Sequence, residues 1–194
     1  MKISFKQNFP SGEDVILAKE LSKSFGFGEN KRELFRHVDL DIKRGERICI
    51  VGPNGVGKTT MYRTILVFLP LLEGELLVDG RDIRQIPREQ LAKHIAYVPQ
   101  YHTPPFAYSV YDVVLMGRGT HISRFSSPGR KDELIALEML ERMGISHLRD
   151  DVYTEISGGE RQLVLIARAL AQQTEYILMD EPAASLDFGN QMRL

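Results

Sequence analysis

The sequence predicts an α/β fold with a parallel sheet at its core and a helical segment inserted into it. Continuous apolar runs at residues 48–51 and 176–179 are typical of strands buried on both faces of a parallel sheet. Strand and helix patterns alternate along the chain up to about residue 100. From about residue 101 to 155 the pattern becomes helical and is interrupted by Gly, Ser and Pro, which indicates an insertion.

Each predicted element has a local signal in the sequence. Asp79-Gly80 is a turn after a strand, Pro87 suits the first turn of a helix, and Gly144 ends a helix. The predicted strands are Val15–Leu17, Val38–Ile42, Arg47–Val51, Glu75–Val78, Ile95–Val98 and Tyr176–Met179. Helices are predicted from Lys58 to about Phe68, from Pro87 to about His94, and over Val110–Met116, Arg130–Met143 and Gln162–Ala171, with a loop from Gly117 to Gly129.

The composition excludes several classes of protein. The 194 residues carry a net charge of −1, which argues against a basic face for nucleic acid. Cys49 is the only cysteine, so no intrachain disulfide can form, and its apolar neighbours predict a buried core thiol. The longest apolar stretch, Ile65–Leu72, contains Pro70 and is far shorter than the ~20 residues of a membrane span. We expect a chain that does not cross a bilayer by itself.

A glycine-rich segment between a predicted strand and a predicted helix matches the pattern Gly, four residues, Gly-Lys-Thr. Glycines let successive N–H groups curl around a phosphate, a lysine reaches the β- and γ-phosphates, and a threonine hydroxyl ligates Mg²⁺. The alternative is an ordinary Gly-rich turn without a ligand. The predicted nucleotide contacts of this phosphate loop are Gly52, Pro53, Asn54, Gly55, Val56, Gly57, Lys58, Thr59 and Thr60.

Two carboxylates end the last predicted strand. Side chains alternate along a strand, so Asp180 and Glu181 point in different directions and can have different roles. Asp180 is the candidate Mg²⁺ ligand, and Glu181 is the candidate general base for an attacking water. The alternative is a solvated acidic turn.

Residues 157–162, Ser-Gly-Gly-Glu-Arg-Gln, have the pattern of a helix start, and we call them the signature segment. Ser157 is a good N-cap, and Glu160 three residues later completes a capping box. Gly158 and Gly159 are poor helix formers, which is tolerated where another group approaches the backbone closely. The helix start is therefore a second candidate anion site. The alternative is that the two glycines only end a loop.

These motifs, in this order, resemble the ATP-binding cassette (ABC) ATPases over essentially the whole chain. The resemblance implies a RecA-like P-loop NTPase core with an N-terminal antiparallel β subdomain and an inserted helical subdomain. It also implies a head-to-tail dimer, in which each ATP lies between the phosphate loop of one subunit and the signature segment of the other. The residues expected to reach the partner's ATP are Ser157, Gly158, Gly159, Glu160 and Gln162.

Further positions match the family one by one. Phe25 stands where an aromatic ring stacks on adenine, with Phe27 as the other candidate. Gln100 matches the glutamine that reaches the Mg²⁺ and the attacking water, and Asp187 matches a loop at the dimer interface. The resemblance thus implies Glu181, Gln100 and Lys58 as catalytic residues. The implied metal ligands are Thr59, Gln100 and Asp180.

The inserted segment and the C-terminal residues resemble one branch of the family, the importer ATPases for iron–siderophore chelates, haem and cobalamin. The likeness rests on Tyr111–Arg118, His121, Phe125, Arg161–Leu170 and Gly189-Asn190-Gln191. It implies ATP hydrolysis with Mg²⁺ at the cytoplasmic face of the membrane, beneath partner membrane subunits served by an extracytoplasmic binding protein. The five histidines form no ligand cluster in the sequence, so we do not expect them to bind iron. Two alternatives stay open: a soluble ABC ATPase of DNA repair or translation, and a nucleotide-binding remnant without turnover.

The predicted domain division is 1–100 for the core with the β subdomain, 101–155 for the helical subdomain, and 156–194 for the end of the core. The family places a further helix, a strand and a catalytic histidine after Asp187, but the last histidine here is His147. The resemblance places that strand in the middle of the sheet, so we expect the 194 residues to be a C-terminally truncated cassette. Such a chain should unfold easily or aggregate, and hydrolyse ATP poorly.

Overall fold

A computed structural model of the chain describes most of the sequence. The chain divides into two compact units between Leu91 and Ala92, here called the N-terminal and the C-terminal unit. The described residues are 14–26, 32–44, 46, 48, 50, 52–53, 55–71, 73–100, 102, 106–123 and 125–181.

The N-terminal unit contains a four-stranded antiparallel sheet with the order β2-β1-β3-β4. Ile16 and Ala18 alternate onto its buried face, and a register shift between Ala18 and Leu21 returns Leu21 to that face. The predicted β subdomain is therefore present, with longer strands than the sequence indicated. The strands are β1 (Asp14–Phe25), β2 (Arg32–Lys43), β3 (Glu73–Val78) and β4 (Arg81–Asp82).

Two helices follow the phosphate loop and β4 in this part of the chain. Helix α1 (Lys58–Ile65) begins where the sequence predicts but ends three residues earlier. Val67 has a φ of 58°, so the chain leaves the right-handed helical region before Phe68. Helix α2 (Arg88–His94) follows Pro87, as predicted.

The predicted central strand at Arg47–Val51 is not formed by the residues that are described there. Ile48 and Ile50 lie outside every strand, and Ile48 is 45% exposed. A strand needs a neighbour that accepts its backbone hydrogen bonds, and none of the strands described here pairs with this run. The apolar composition indicated burial, but it carries no information about the pairing partner.

The described residues of the C-terminal unit include a parallel pair of strands and, after the end of α2, three further α-helices. Strand β5 (Ile95–Val98) pairs with β6 (Tyr176–Met179), both as predicted, in the register Ile95 with Tyr176 and Val98 with Met179. Parallel pairing puts the carboxyl ends of both strands at one edge. The helices are α3 (Val110–Leu115), α4 (Arg130–Arg142) and α5 (Gly158–Ala171).

One hydrophobic core joins these three helices to the strand pair. It includes Val113 and Val114 from α3, Leu140 from α4 and Val164 from α5, all essentially inaccessible to solvent. Where the sequence predicts a loop from Gly117, residues Met116–His121 form a 3-10 helix instead. Across the described ranges, no helix has the length and hydropathy needed to span a membrane.

Candidate nucleotide site

The phosphate loop adopts a backbone that only glycine accommodates readily. Gly55 and Gly57 have φ values of 83° and 97°. A Cβ on Gly57 would lie 3.1 Å from Leu34 Cβ and 3.1 Å from Phe35 Cδ1 in β2, whereas a Cβ on Gly55 would meet nothing within 4 Å. Gly57 is thus favoured by its left-handed conformation, and a side chain there would also have to displace Leu34 and Phe35 slightly. Asn54, predicted here as a nucleotide contact, lies outside the described residues.

The start of α1 is arranged to receive an anion. Its N-cap is Gly57, which supplies no side-chain hydrogen bond, and its first turn contains no acidic residue. The amino end of a helix attracts negative charge, and here no side chain of the helix competes for that role. Lys58 Nζ donates to the Gly52 carbonyl at 2.5 Å, so the ammonium lies against the loop itself.

The other residues of the phosphate loop differ in their exposure to solvent. Pro53 and Gly55 are exposed, and Val56 is 42% exposed. Gly52, Lys58, Thr59 and Thr60 are half-buried. Thr59 is therefore a half-buried residue in the first turn of α1, directly after Lys58.

The candidate adenine-stacking ring, Phe25, ends β1 and is 46% exposed. Lys23, two residues earlier on the strand, places its Nζ over that ring at 5.7 Å from the centroid and donates to Pro70 O at 2.5 Å. Burial lowers the pKa of Lys23, which is only 4% exposed. Sequence reasoning missed Lys23, although its spacing from Phe25 places both on one face of a strand. Phe27 lies outside the described residues.

Asp180 carries the clearest sign of a cation site. Its backbone N–H donates to Val98 O at 2.9 Å, which continues the β5–β6 pairing and fixes the residue at the carboxyl edge. The side chain is buried, with the residue 2% exposed, and Oδ1 has no hydrogen-bond partner within the described part of the chain. A buried carboxylate oxygen without a partner is costly, and a Mg²⁺ ion would remove that cost. The residue fits the metal role predicted for it.

Gln100 and Glu181 meet at the same edge of the strand pair. Gln100 Nε2 donates to Glu181 Oε2 at 2.6 Å, across 81 positions of sequence. Glu181 has a φ of 48°, an unfavourable left-handed conformation for a residue with a side chain. The parallel register explains the contact, because each residue lies two positions beyond its strand. The structure thus brings together two of the three predicted catalytic residues, next to Asp180.

The signature segment forms the predicted capping box. Ser157 Oγ accepts from the Glu160 N–H at 3.3 Å, and Glu160 Oε2 accepts from the Ser157 N–H at 2.8 Å. These hydrogen bonds from Ser157 hold the pKa of Glu160 below its ordinary value. The box engages the N–H groups of Ser157 and Glu160, and Gly158 and Gly159 take no part in it.

The buried amide of Gln162 lies one turn into α5. The residue is 3% exposed, and its Nε2 finds no hydrogen-bond acceptor among the residues that are described. The predicted site residues are therefore divided between the two units. Phe25 and the phosphate loop belong to the N-terminal unit, and Gln100, Asp180, Glu181 and the signature segment belong to the C-terminal unit. Asp187, the predicted interface residue, lies outside the described residues.

Several known proteins are similar in sequence to this chain. An uncharacterized ABC transporter ATP-binding protein of Haemophilus influenzae is 39% identical over 173 residues, which are 89% of this chain and 66% of that protein. The molybdate import ATP-binding protein MolC of the same organism is 38% identical, over 81% of this chain and 57% of its own length. The hemin import ATP-binding protein HmuV of Gloeobacter violaceus is 38% identical, over 82% and 60%. The chain thus spans about two thirds or less of the length of these relatives.

Solved structures share the fold. An inward-facing ABC transporter assigned to the metal-chelate type is 35% identical with a TM-score of 0.75, over 93% of this chain and 65% of that one. A dimeric ATP-binding cassette in a post-hydrolysis state with ADP and Pi is 29% identical with a TM-score of 0.79, over 92% and 78%. The predicted α/β fold class is confirmed. Residues 35–184, more than half of the chain, match the family model of the ABC transporter, so this chain belongs to the ABC transporter ATP-binding family.

Proposed function

We propose that this chain is the subunit of an ABC importer that binds and hydrolyses ATP to drive uptake of a metal chelate. The observation that carries the proposal is the contact between Gln100 and Glu181 at the edge where buried Asp180 ends β6. A carboxylate held by an amide beside a metal-binding carboxylate is the arrangement needed to activate a water for attack on a phosphate.

Each of the proposed site residues has a separate role in the reaction. Glu181 accepts the proton of the attacking water, and Gln100 holds the Glu181 carboxylate in position through the 2.6 Å hydrogen bond. Asp180 and Thr59 would hold Mg²⁺, which supplies neutralisation of the charge on the phosphate oxygens. Lys58 adds a second positive charge at the phosphate loop.

The active form in this proposal is a dimer. The start of α5 offers N–H groups but lacks the lysine and hydroxyl of the phosphate loop, so it forms only half of a phosphate site. A second copy would supply the other half, with Asp187 near the interface. The solved cassette with ADP and Pi that resembles this chain is itself a dimer. The domain division at 1–100, 101–155 and 156–194 belongs to the same proposal.

The proposed partners are a pair of membrane subunits and, indirectly, an extracytoplasmic binding protein, with the cassette at the cytoplasmic face. The support comes from relatives named for haem and molybdate import and from a solved transporter assigned to the metal-chelate type. We propose an iron(III)–siderophore or a related chelate as cargo. Uptake of radiolabelled ferric siderophore, haem and molybdate by cells with and without the gene tests this choice.

The proposed base is tested by Glu181→Gln. This change keeps the shape of the side chain and removes its basicity, so ATP should bind, hydrolysis should stop, and ATP-bound dimers should accumulate. Glu138→Gln, an exposed change on α4, serves as the matched control. Dimer mass is measured by sedimentation and turnover by phosphate release. Unchanged turnover in Glu181→Gln would contradict the assignment, and ATP binding without turnover in the parent would favour a non-catalytic remnant.

A further inference from the structure

The C-terminal end of α5 is held by side chains from the 3-10 helix at 116–121. Arg118 Nη1 donates to the Ala171 carbonyl at 2.7 Å, and His121 Nε2 donates to the Gln172 carbonyl at 2.7 Å. The last carbonyls of a helix have no partner within the helix, and cations near them also interact favourably with the helix dipole. The end of α5 is therefore capped by two residues that lie about 50 positions away in sequence.

Arg118 also connects this helix end to the start of α4. Its Nε donates to Asp132 Oδ1 at 2.9 Å, and Asp132 Oδ2 accepts from the Gly129 N–H, which begins α4. The hydrogen bond from Arg118 holds the pKa of Asp132 below its ordinary value. Arg118 itself is 3% exposed and makes a further hydrogen bond, to Gln173 Oε1 at 3.0 Å. A buried guanidinium with these partners is costly to disturb.

Gly117 lets the 3-10 helix approach α5 this closely. A Cβ at Gly117 would lie 2.2 Å from the carbonyl oxygen of Arg168, a distance that no side chain tolerates. The clamp is completed by Gln172, whose Nε2 donates to the Ala92 carbonyl at 2.5 Å. We call Gly117, Arg118, His121, Asp132 and Gln172 the α5 clamp.

The clamp acts on one end of α5, and the signature segment lies at the other. Helix α5 has 14 residues, so its ends are about 21 Å apart. A tilt of about 10° about the clamped end would displace the other end by roughly 4 Å, given a rise of 1.5 Å per residue. That displacement exceeds the tolerance of a hydrogen bond. Apolar packing against α3 and α4 also restrains α5, and the polar clamp adds directional hydrogen bonds that constrain the tilt and the axial position at this end.

We infer that Arg118 is a positioning residue, which sets the orientation in which Ser157, Gly158 and Gly159 are presented to the ATP bound by a partner subunit. The inference rests on the proposed function, since it assigns Arg118 a part in the shared ATP site without contact to nucleotide. The clamp thus connects the start of α4, the end of α5 and the 3-10 helix through side-chain hydrogen bonds.

The test compares Arg118→Met, Arg118→Lys and the control Arg142→Met in the Glu181→Gln background. Arg142 is a half-exposed arginine of α4 that forms a long salt bridge to Glu138, at 3.8 Å. Arg118→Met should raise the dissociation constant of the ATP-bound dimer about tenfold, as expected for loss of charged hydrogen bonds. Binding of a fluorescent ATP analogue to the monomer should not change. The lysine variant should be intermediate and the control unchanged.

A second measurement follows the helix start directly. Amide hydrogen exchange at residues 158–161, measured well below the melting temperature, should be faster in Arg118→Met and unchanged in Arg142→Met. A variant that melts earlier yet forms the dimer like its parent would overturn the inference, because the role of Arg118 would then be structural only. If Arg118→Met does not fold, Asp132→Asn removes the charge that holds Arg118 and is judged by the same measurements.

The two proposals fail in different ways. If the Glu181→Gln parent binds ATP but never forms a dimer, the proposed function is wrong, and exchange at residues 158–161 alone decides whether Arg118 positions the helix start. If the parent forms the dimer and Arg118→Met leaves both dimer and exchange unchanged, the positioning role is wrong and the proposed function stands.

Discussion

The two helix starts of this chain, at α1 and at α5, differ in almost every feature that governs anion binding. The start of α1 follows a glycine cap, has no acid in its first turn, and carries Lys58. The start of α5 is closed by a Ser157–Glu160 capping box and carries a negative charge in its first turn. The features of the α1 start favour a phosphate that has no other positive charge bound to it. We expect the α5 start to favour a phosphate that already has positive charge bound to it.

This difference gives a physical reason for a shared site. An acid at a helix start stabilises the helix but repels a free anion. ATP held by the Lys58 ammonium and Mg²⁺ of another subunit is largely neutralised, so it can approach the Glu160 end without that penalty. In the proposed dimer, the α5 start would bind the complex of nucleotide, metal and partner, and it should show little affinity for ATP by itself.

The largest expected effect is the loss of ATP binding in Lys58→Ala. The ammonium contributes at least one charge-assisted contact to the phosphates, so affinity should fall about a hundredfold, or roughly 2.7 kcal/mol. Calorimetry with ATP measures the change, and Lys43→Ala, at an exposed lysine that ends β2, provides the control. Nearly normal affinity in Lys58→Ala would mean that the α1 start is not the primary phosphate site.

The phosphate loop also allows a matched pair of stability measurements. Gly57→Ala should cost about 2 kcal/mol, because a left-handed φ is combined with contacts at 3.1 Å to β2. Gly55→Ala carries only the conformational cost, about 1 kcal/mol, since its Cβ would meet open space. Urea denaturation followed by circular dichroism measures both. Equal costs would show that packing against Leu34 and Phe35 contributes nothing.

Substitutions in two serine capping boxes distinguish an effect on helix stability from an effect on the ATP-bound dimer. Ser157→Ala and Ser109→Ala each remove the serine of such a box, at α5 and at α3, and each should cost about 1 kcal/mol. Only Ser157→Ala should weaken the ATP-bound dimer, and neither should change ATP binding to the monomer. Urea denaturation gives the stability and sedimentation gives the dimer. Equal weakening of the dimer by both variants would assign the effect to general destabilisation.

The smallest expected effect is a pH dependence at the α5 start. The pKa of Glu160 is lowered in the folded protein, so its contribution to stability is present above the unfolded pKa and is lost as pH falls through the folded one. Denaturation midpoints should therefore fall less steeply in Glu160→Gln than in the parent between about pH 5 and 3. A glutamine keeps the capping box but lacks the carboxylate charge, so stability at neutral pH should fall slightly, by the contribution that the parent loses in acid. Identical slopes would contradict a charged Glu160 in the box.

Local patterns predicted some parts of the fold to the residue. Ile95–Val98 and Tyr176–Met179 form β5 and β6 with the predicted bounds, because short apolar runs between polar residues specify a buried strand. Lys58 begins α1 because the glycine pattern specifies the loop before it. The strand predicted at 47–51 is not formed at the described residues Ile48 and Ile50, because an apolar composition indicates burial but does not specify the neighbouring strand.

Long-range contacts were beyond the sequence patterns. Arg118 stands in a Gly-rich stretch with no periodic signal, and its partners Asp132 and Ala171 lie far along the chain. The resemblance to a family named Gln100 and Glu181 as catalytic residues, but it did not predict the contact between them, which depends on the register of two strands. Such contacts follow from how elements pack and are not encoded in the spacing of residues within one element.

The central claim, that the phosphate loop of one chain and the α5 start of another share one ATP, is tested most directly by mixing two variants. Both variants are made in the Glu181→Gln background. Lys58→Ala removes the lysine of the phosphate loop, and Gly159→Asp adds a second acid at the start of α5. Neither variant alone should form ATP-bound dimers, whereas the mixture should form dimers that retain a single nucleotide, measured by sedimentation and nucleotide content. Dimers of the Gly159→Asp variant alone, or none in the mixture, would contradict the claim.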